Sequence, residues 1–568
     1  MRWRKSIILP VLAADLLLMT GCTKEEETYQ EQIVIDVYDQ TSDYQGLQTG
    51  WYAKILEDRF NIQLNFLDTE AEGSLEQADL FVCNSLQTSP DSLMEGDRLL
   101  NIAPYFEEEL TLGEEILDYV DSFQVWNESW GEEEIYVIPS QVSRLSEDTP
   151  SEENTPRYGI YLDWEAYEQA GMPEIEDLDE LLTVMEELKQ PGQQGIILCN
   201  DKEMDVLDHV SYLMGVQGVE RDGFLVYGED KVTELLEDES GFMESLLWFR
   251  EAYRRGLLAP YSGRVSYEQL VKYYEHGKAV VSIWPQMEAD GYELAPAEKM
   301  KVVSHGCNGL GNMETYLAVS SSAEEPLRIV DFVGWLYSTE GIMFSGTDTN
   351  LKSAGPQGLT WEVKDGNPEL TEYGWQVFGG KSADATGNES TVDGQSVDGQ
   401  SIDGQAVGGQ AVAVPEDWGG GSWQEGTCKL GFQPVVNVEV SPSGFPYNRT
   451  LWETVGERTN SADDSWKEYM DAEDQMEYLM DNDNLEVIPG YIDIYQEEPE
   501  EIVDKRTACR RVIVDYSWKI IQEEDDLGCQ VLLEKLRREV ESLGYQDVVE
   551  YDRQINDMQQ EKLSSFLW

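Results

Sequence analysis

Histidine is scarce in this chain. Only His209, His276 and His305 occur in 568 residues, and no two stand at metal-ligand spacing. Seven cysteines occur, at Cys22, Cys83, Cys199, Cys307, Cys428, Cys509 and Cys529, with no C-x-x-C pair among them. That spacing excludes a zinc ribbon or a dithiol redox motif, and it does not frame a small disulfide-stapled domain. The G-x-x-x-x-G-K-[ST] and G-x-G-x-x-G phosphate turns are missing, as is the G-x-S-x-G nucleophile elbow. No metal ion or cofactor is expected. Apolar runs stay below the ~20 residues that a membrane-spanning helix needs. Positive charge is thin, with 39 Lys and Arg against 113 Asp and Glu, for a net charge of −74. Such a field repels nucleic acid and anionic lipid headgroups and favours neutral or cationic ligands. Carboxylates are so dense that any Asp/Glu pair is uninformative about glycoside hydrolysis. No catalytic constellation stands above this background, and no enzymatic activity is expected.

What is present is enough for a large core. Apolar residues make up 41%, with 29 Tyr and 16 Trp, too much for a disordered acidic chain. The N-terminus is a secretory signal. Arg2, Arg4 and Lys5 precede an apolar run over 7–19, and Met19-Thr20-Gly21-Cys22 closes it. A small residue before a cysteine resembles a lipobox, with Met19 where Leu is usual and Asp15 interrupting the run. The expectation is a signal peptide over 1–21, a lipidated Cys22, and an acidic tether over 22–30. The competing reading is an ordinary cleaved signal with a chance cysteine. A lipid-anchored protein on the outer face of a bacterial cytoplasmic membrane follows from the first.

Periodicity places the elements. Strands are expected at 33–38 (IVIDVY), 62–66 (IQLNF), 78–83 (ADLFVC) and 135–139 (IYVIP), with a helix over 51–60 between the first two. Strand, helix, strand at short intervals predicts a parallel α/β sheet. A second α/β unit starts near Arg157, with extended chain at 158–161. It continues with helices over 177–189 and 241–253 and strands over 195–198 and 279–284. A strand over 316–320 and a helix over 326–337, with Pro326 in its first turn, follow. Residues 390–410 repeat a unit of about five residues (SVDGQ, SIDGQ, AVGGQ). Such composition buries no core, so 381–424 is expected to be a disordered insertion. Helices over 466–482 and 532–543 predict a helical C-terminal part.

Several stretches occur in the order found in one family. They are Tyr44-Gln45-Gly46-Leu47-Gln48-Thr49-Gly50-Trp51, Ile135-Tyr136-Val137-Ile138-Pro139, Asp163-Trp164 with Gly171-Met172-Pro173, Ser282-Ile283-Trp284-Pro285, Trp335-Leu336-Tyr337-Ser338, and Gly355-Pro356-Gln357-Gly358-Leu359-Thr360-Trp361-Glu362. In these the chain resembles the extracellular solute-binding lipoproteins of carbohydrate ABC transporters (extracellular solute-binding protein family 1), in the long subgroup with an extended C-terminal region. The resemblance implies a two-lobed, periplasmic-binding-protein-like (type II) α/β fold. Lobe 1 would take 31–140 plus 301–350. Lobe 2 would take 141–300 plus 351–568, with the repeat insertion inside it. Hinge crossings would fall near Pro139, Met300 and Asn350.

The implied function is capture of a neutral carbohydrate, an oligosaccharide, by a monomeric protein that delivers it to permease subunits. A ligand sensor or degenerate binding protein without a transport role is the alternative, and a surface glycosidase the remoter one. The chemistry of the residues agrees with a sugar. Its CH faces pack on flat aromatics, and its hydroxyls need Asp, Asn, Gln or Arg. Trp284 follows a strand and Trp51 opens a helix after a Gly-rich turn. Asp39, Gln48, Asp163 and Trp164 lie at similar junctions. These six are the candidate ligand contacts.

Overall fold

The computed structural model describes residues 31–107, 114–131, 133–156, 158–201, 204–213, 223–227, 232–283, 291–296, 300, 302–364, 366–378, 412–452, 461–488 and 498–566. Cys22, Trp284 and the repeat at 390–410 lie outside them.

Period-two alternation builds the main sheet. In β1 (Ile33–Asp39), Ile35 and Val37 enter one core while Tyr38 enters another on the opposite face. β2 (Gly46–Leu47) and β3 (Ile62–Phe66) follow. In β4 (Leu80–Asn84) the split is Leu80 and Val82 against Phe81 and Cys83. In the strand Asn312–Val319 it is Leu317 and Val319 against Tyr316 and Ala318. With β5 (Ile138–Ser140), the order is β2-β3-β1-β4, then Asn312–Val319, then β5. β1 runs parallel to β3 and β4, whereas Asn312–Val319 is antiparallel to both of its neighbours. The helix α1 (Gly50–Phe60) covers one face through Trp51, Tyr52, Ile55, Leu56 and Phe60. Asn61 ends it at φ 51°, in the left-handed region that Asn tolerates.

A second large core gathers side chains from 158–302 and 466–549. Its small antiparallel sheet has the order Tyr292–Leu294, Tyr161–Asp163, Val281–Ser282. Around it lie the helices Leu178–Leu188 and Phe242–Arg254, and the C-terminal helices Glu500–Ile521 and Asp526–Ser542. Asp177 starts the first of these, its Oδ1 accepting from the backbone N–H of Asp179 and Glu180 at 3.0 Å each. The fold class is thus the two-lobed α/β type with a helical C-terminal region.

Four local expectations change. Residues 466–482 form two helices, Ser461–Met470 and Gln475–Asp481, because Asp471 takes φ 54° and Asp474 caps the second. Residues 195–198 form no strand; Gln194 and Ile196 make only isolated bridges to Ala279 and Leu258. Residues 351–364, 366–378 and 412–452, expected with the second lobe, pack into the first core through Leu359, Trp361, Leu370, Trp423, Val435 and Trp452. The described chain thus stays with the first core as far as Trp452, well beyond Asn350, and Trp466 is the next buried residue in the second core. Finally, the C-terminal end of the expected disordered insertion is packed: Val414 and Trp423 are buried. Glycine there serves contact rather than disorder. A Cβ on Gly426 would lie 2.6 Å from the Trp51 ring, and one on Gly50 would lie 2.4 Å from the Gly426 Cα.

The six cysteines from Cys83 to Cys529 are buried free thiols. Among the described residues no helix is long and apolar enough to cross a membrane.

Candidate functional site

In an open α/β sheet, parallel strands end on one edge, and ligands sit in the crevice outside those carboxyl ends. Here that edge carries Asp39 of β1, Asn84 of β4 and Ser140 of β5, with Asn312 opposite Ser140. Gln40 links two of the strand ends. Its Nε2 donates to Thr88 Oγ1 at 2.9 Å, and its Oε1 accepts from Asn84 N at 3.1 Å. Tyr316 OH donates to the Thr88 carbonyl at 2.8 Å. The Oγ of Ser85 is buried and has no hydrogen-bond partner, an unmet polar group at the mouth of β4. Aromatic rings flank this end. Trp130 Nε1 donates to Asp91 at 3.2 Å, and the Trp130 and Tyr136 rings meet edge to face with centroids 6.3 Å apart. Gln40, Asn84, Thr88 and Trp130 are only partly buried, so they keep surface for a ligand; Ser85 is partly buried as a residue, with its hydroxyl covered. Sequence reasoning passed over them. The signal was available in the rule that the residues just past a β1-type strand border the crevice.

The structure brings three of the six sequence candidates together, on one segment of chain. Asp39 is buried, and Oδ1 accepts from Thr41 N (2.8 Å) and Thr41 Oγ1 (2.7 Å) while Oδ2 accepts from Gly431 N (2.8 Å). Burial raises its pKa above the ordinary carboxylate value, and the hydrogen bonds hold it back. Gln48 is buried too; its Nε2 donates to Thr427 O at 2.9 Å, and its Oε1 accepts from Lys429 N at 2.9 Å. Trp51 has 0% exposure, stacks on Trp423 and donates from Nε1 to Trp423 O at 3.1 Å. All three side chains hold 423–431 against the carboxyl edge of the sheet.

Asp163 and Trp164 lie in the second lobe. Asp163 ends the strand Tyr161–Asp163 and caps the helix Trp164–Gln169, accepting from Ala166 N at 3.1 Å; burial raises its pKa. Trp164 has 0% exposure, sits in the second core and donates from Nε1 to Ser465 Oγ at 3.2 Å. Trp284 lies outside the described residues, two positions beyond the strand Val281–Ser282.

The described chain between the lobes is hydrogen-bonded. The strand Val302–His305 pairs in parallel with Leu485–Ile488. Ser151 N donates to His305 O at 2.8 Å, and Cys307 N donates to Thr149 O at 2.7 Å. Where the first crossing leaves β5, Glu439 receives Ser143 Oγ at 2.9 Å, Arg144 N at 3.0 Å and Arg144 Nε at 3.3 Å. A cavity of about 410 Å3 lies between the crossings, lined by Asp118, Ser143, Arg144, Glu147, Asn308 and Leu563 among others. Two units joined by such crossings can rotate about them.

The chain matches no family model and no curated protein. Its fold does match solved structures. One is described as an HMO-binding, ABC-transporter-associated solute-binding protein from Bifidobacterium longum infantis. It superposes with a TM-score of 0.51 at 12% identity, over 94% of this chain and 99% of that one. Another is an extracellular solute-binding protein from Bifidobacterium longum subsp. infantis, with a TM-score of 0.52 at 10% identity, over 94% of this chain and 98% of that one. At such identities the likeness is one of fold. It runs through nearly the whole chain and includes both lobes.

Proposed function

We propose that the protein is the extracytoplasmic substrate-binding component of an ABC importer. It captures a neutral oligosaccharide between its lobes and delivers it to a membrane permease, with no chemistry on the ligand. The observation that carries this is the carboxyl edge of the first sheet. There, partly exposed Gln40, Asn84, Ser85, Thr88 and Trp130 stand outside the strand ends in a two-lobed fold. Amides and hydroxyls beside an indole suit a sugar's hydroxyl rim and CH face. The binding of HMO by a protein of similar fold supports the ligand class. The high acidity of the chain favours a neutral ligand over an anionic one. On the second lobe, Trp284 is the proposed apolar platform. The protein acts as a monomer, held on the outer face of the cytoplasmic membrane by acyl chains on Cys22.

The test is thermal melting of the soluble form, residues 23–568, against a panel of neutral oligosaccharides. A ligand that binds only the folded state raises the melting temperature with its concentration. A panel that leaves it unmoved, while peptides or small cations raise it, overturns the carbohydrate assignment.

A further inference from the structure

The chain's last helix, Tyr545–Phe566, is rooted in one lobe and ends in the other. At its start, Tyr545, Val548 and Val549 are buried in the second core, and the Tyr545 ring stacks on Phe224 with centroids 5.1 Å apart. Asp552 receives Phe224 N at 2.8 Å and Arg506 at 2.6 Å, and Arg553 pairs with Glu234 at 2.9 Å. Those partners all belong to the second lobe. Four turns further on the neighbours change. Leu563 is buried among Tyr38, Phe81, Cys83, Trp126 and Tyr316, on the face of the main sheet opposite α1. Lys562 Nζ lies 4.9 Å from the centroid of the Trp126 ring and donates to Val125 O at 3.3 Å. Trp126 and Val125 stand on the first-lobe helix Val120–Asn127. At 1.5 Å per residue, Val549 to Leu563 spans roughly 21 Å, so a single rigid element bridges the lobes.

Leu563 also lines the cavity between the crossing segments. The bridge therefore meets the first lobe beside the hinge. Hinge rotation changes the relation of the two lobes. A helix fixed to one lobe must then either release its far end or resist the rotation. The sequence gives the two ends different characters. Three ion pairs, Asp547 with Lys505, Asp552 with Arg506 and Arg553 with Glu234, tie the start of the helix at the second lobe, while near its end Leu563 packs in the first lobe and the Lys562 ammonium lies over the Trp126 ring.

We propose that the final turn, through Leu563 and Lys562, is an interlobe latch: it holds the resting angle between the lobes and releases when they rotate. The latch concerns the apo protein and does not depend on which ligand the cleft takes.

The experiment measures interlobe distances in the ligand-free full chain by pulsed electron paramagnetic resonance. Nitroxides go on cysteines introduced at Asp58 on α1 and Glu187 on the second-lobe helix Leu178–Leu188, both exposed; the native thiols from Cys83 to Cys529 are buried. The parent should give one narrow distribution. The pair Lys562→Gln with Leu563→Ser should broaden it roughly twofold or shift its centre. A second variant, truncated after Gln559, should do the same. It guards against misfolding caused by a polar residue at a buried position, and circular dichroism confirms that each variant remains folded. Distributions identical to the parent in both folded variants overturn the latch. Broadening in both supports it, whereas broadening in the truncation alone overturns the assignment of the latch to Leu563 and Lys562.

Discussion

The indole of Trp51 stacks on that of Trp423, with ring centroids 4.7 Å apart and 17° between the planes. The two residues come from opposite ends of the first lobe's chain, and a hydrogen bond from Trp51 Nε1 to the Trp423 carbonyl adds to the stack. Neither ring has surface for a sugar, at 0% and 3% exposure. Trp423→Ala should therefore destabilise the first lobe by about 3–5 kcal/mol, read as a lower midpoint in urea unfolding. Trp51→Phe, which keeps an aromatic ring, should cost less and leave ligand affinity within about twofold. A large loss of affinity in a stably folded Trp51→Phe protein would contradict this placement.

At the carboxyl edge the expectation is the reverse. Ser85 Oγ is buried without a partner, so Ser85→Ala should leave the apo protein as stable as before or slightly more so. If the hydroxyl waits for a ligand, the same change lowers affinity by roughly fivefold to tenfold, about the worth of one hydrogen bond. Calorimetric titration of both proteins decides. Unchanged affinity would place the ligand elsewhere on the edge.

His209 makes the second lobe sensitive to acid. Its Nε2 accepts from Cys199 N at 3.1 Å, and burial lowers its pKa from 6.5 to about 3. The unfolded chain takes up the proton as pH falls below 6.5, and the folded chain does so only near 3. The stability tied to the neutral ring is thus present above the first value and lost on acidification through that window. Its size is on the order of a few kcal/mol. Urea midpoints taken from neutral pH downward should fall more steeply for the parent than for His209→Gln. Parallel slopes would show that the ring is protonated in the folded state.

Glu439 anchors the first crossing. Its side chain is 1% exposed, and it accepts from Ser143 and from two nitrogens of Arg144. Glu439→Ala leaves those donors without their acceptor and should cost about 3–5 kcal/mol. Combined with Arg144→Met, the loss should be smaller than the sum of the two. Strict additivity in that double-mutant cycle would remove the ion pair from the account.

The membrane anchor is tested apart from the cleft. Cys22→Ala should move the protein from the membrane fraction to the soluble extracytoplasmic fraction, because acyl chains supply the binding. Persistence in the membrane fraction would end the lipid-anchor proposal. Trp284→Ala in the soluble form should weaken oligosaccharide binding while sparing the melting temperature of the apo protein.

Much of the fold could be read from local pattern. The alternation in β1, β3 and β4 announced the sheet, and Asp177 ahead of an apolar stripe announced the helix Leu178–Leu188. The site was less legible. Asp39, Gln48 and Trp51 occupy the expected junctions, yet their side chains face Gly431, Thr427 and Trp423. Nothing near them in the chain could signal partners more than 370 residues away. Gln40, Ser85 and Thr88 carry no distinctive residue type. They gain interest only once the strand order shows that β1 and β4 are neighbours.

By itself the sequence determined most of the elements and their α/β class, because hydrophobic period and capping act over a few residues, while the two lobes were implied by the family resemblance. Tertiary structure alone decided that 351–364, 366–378 and 412–452 join the first core. It also decided that the Gly-rich segment ending at Gly426 is packed against α1 and that the last helix spans both lobes. The physical reason is one of range. An apolar stripe specifies that it must be buried, and only the competition among all such stripes for a limited number of faces specifies against what.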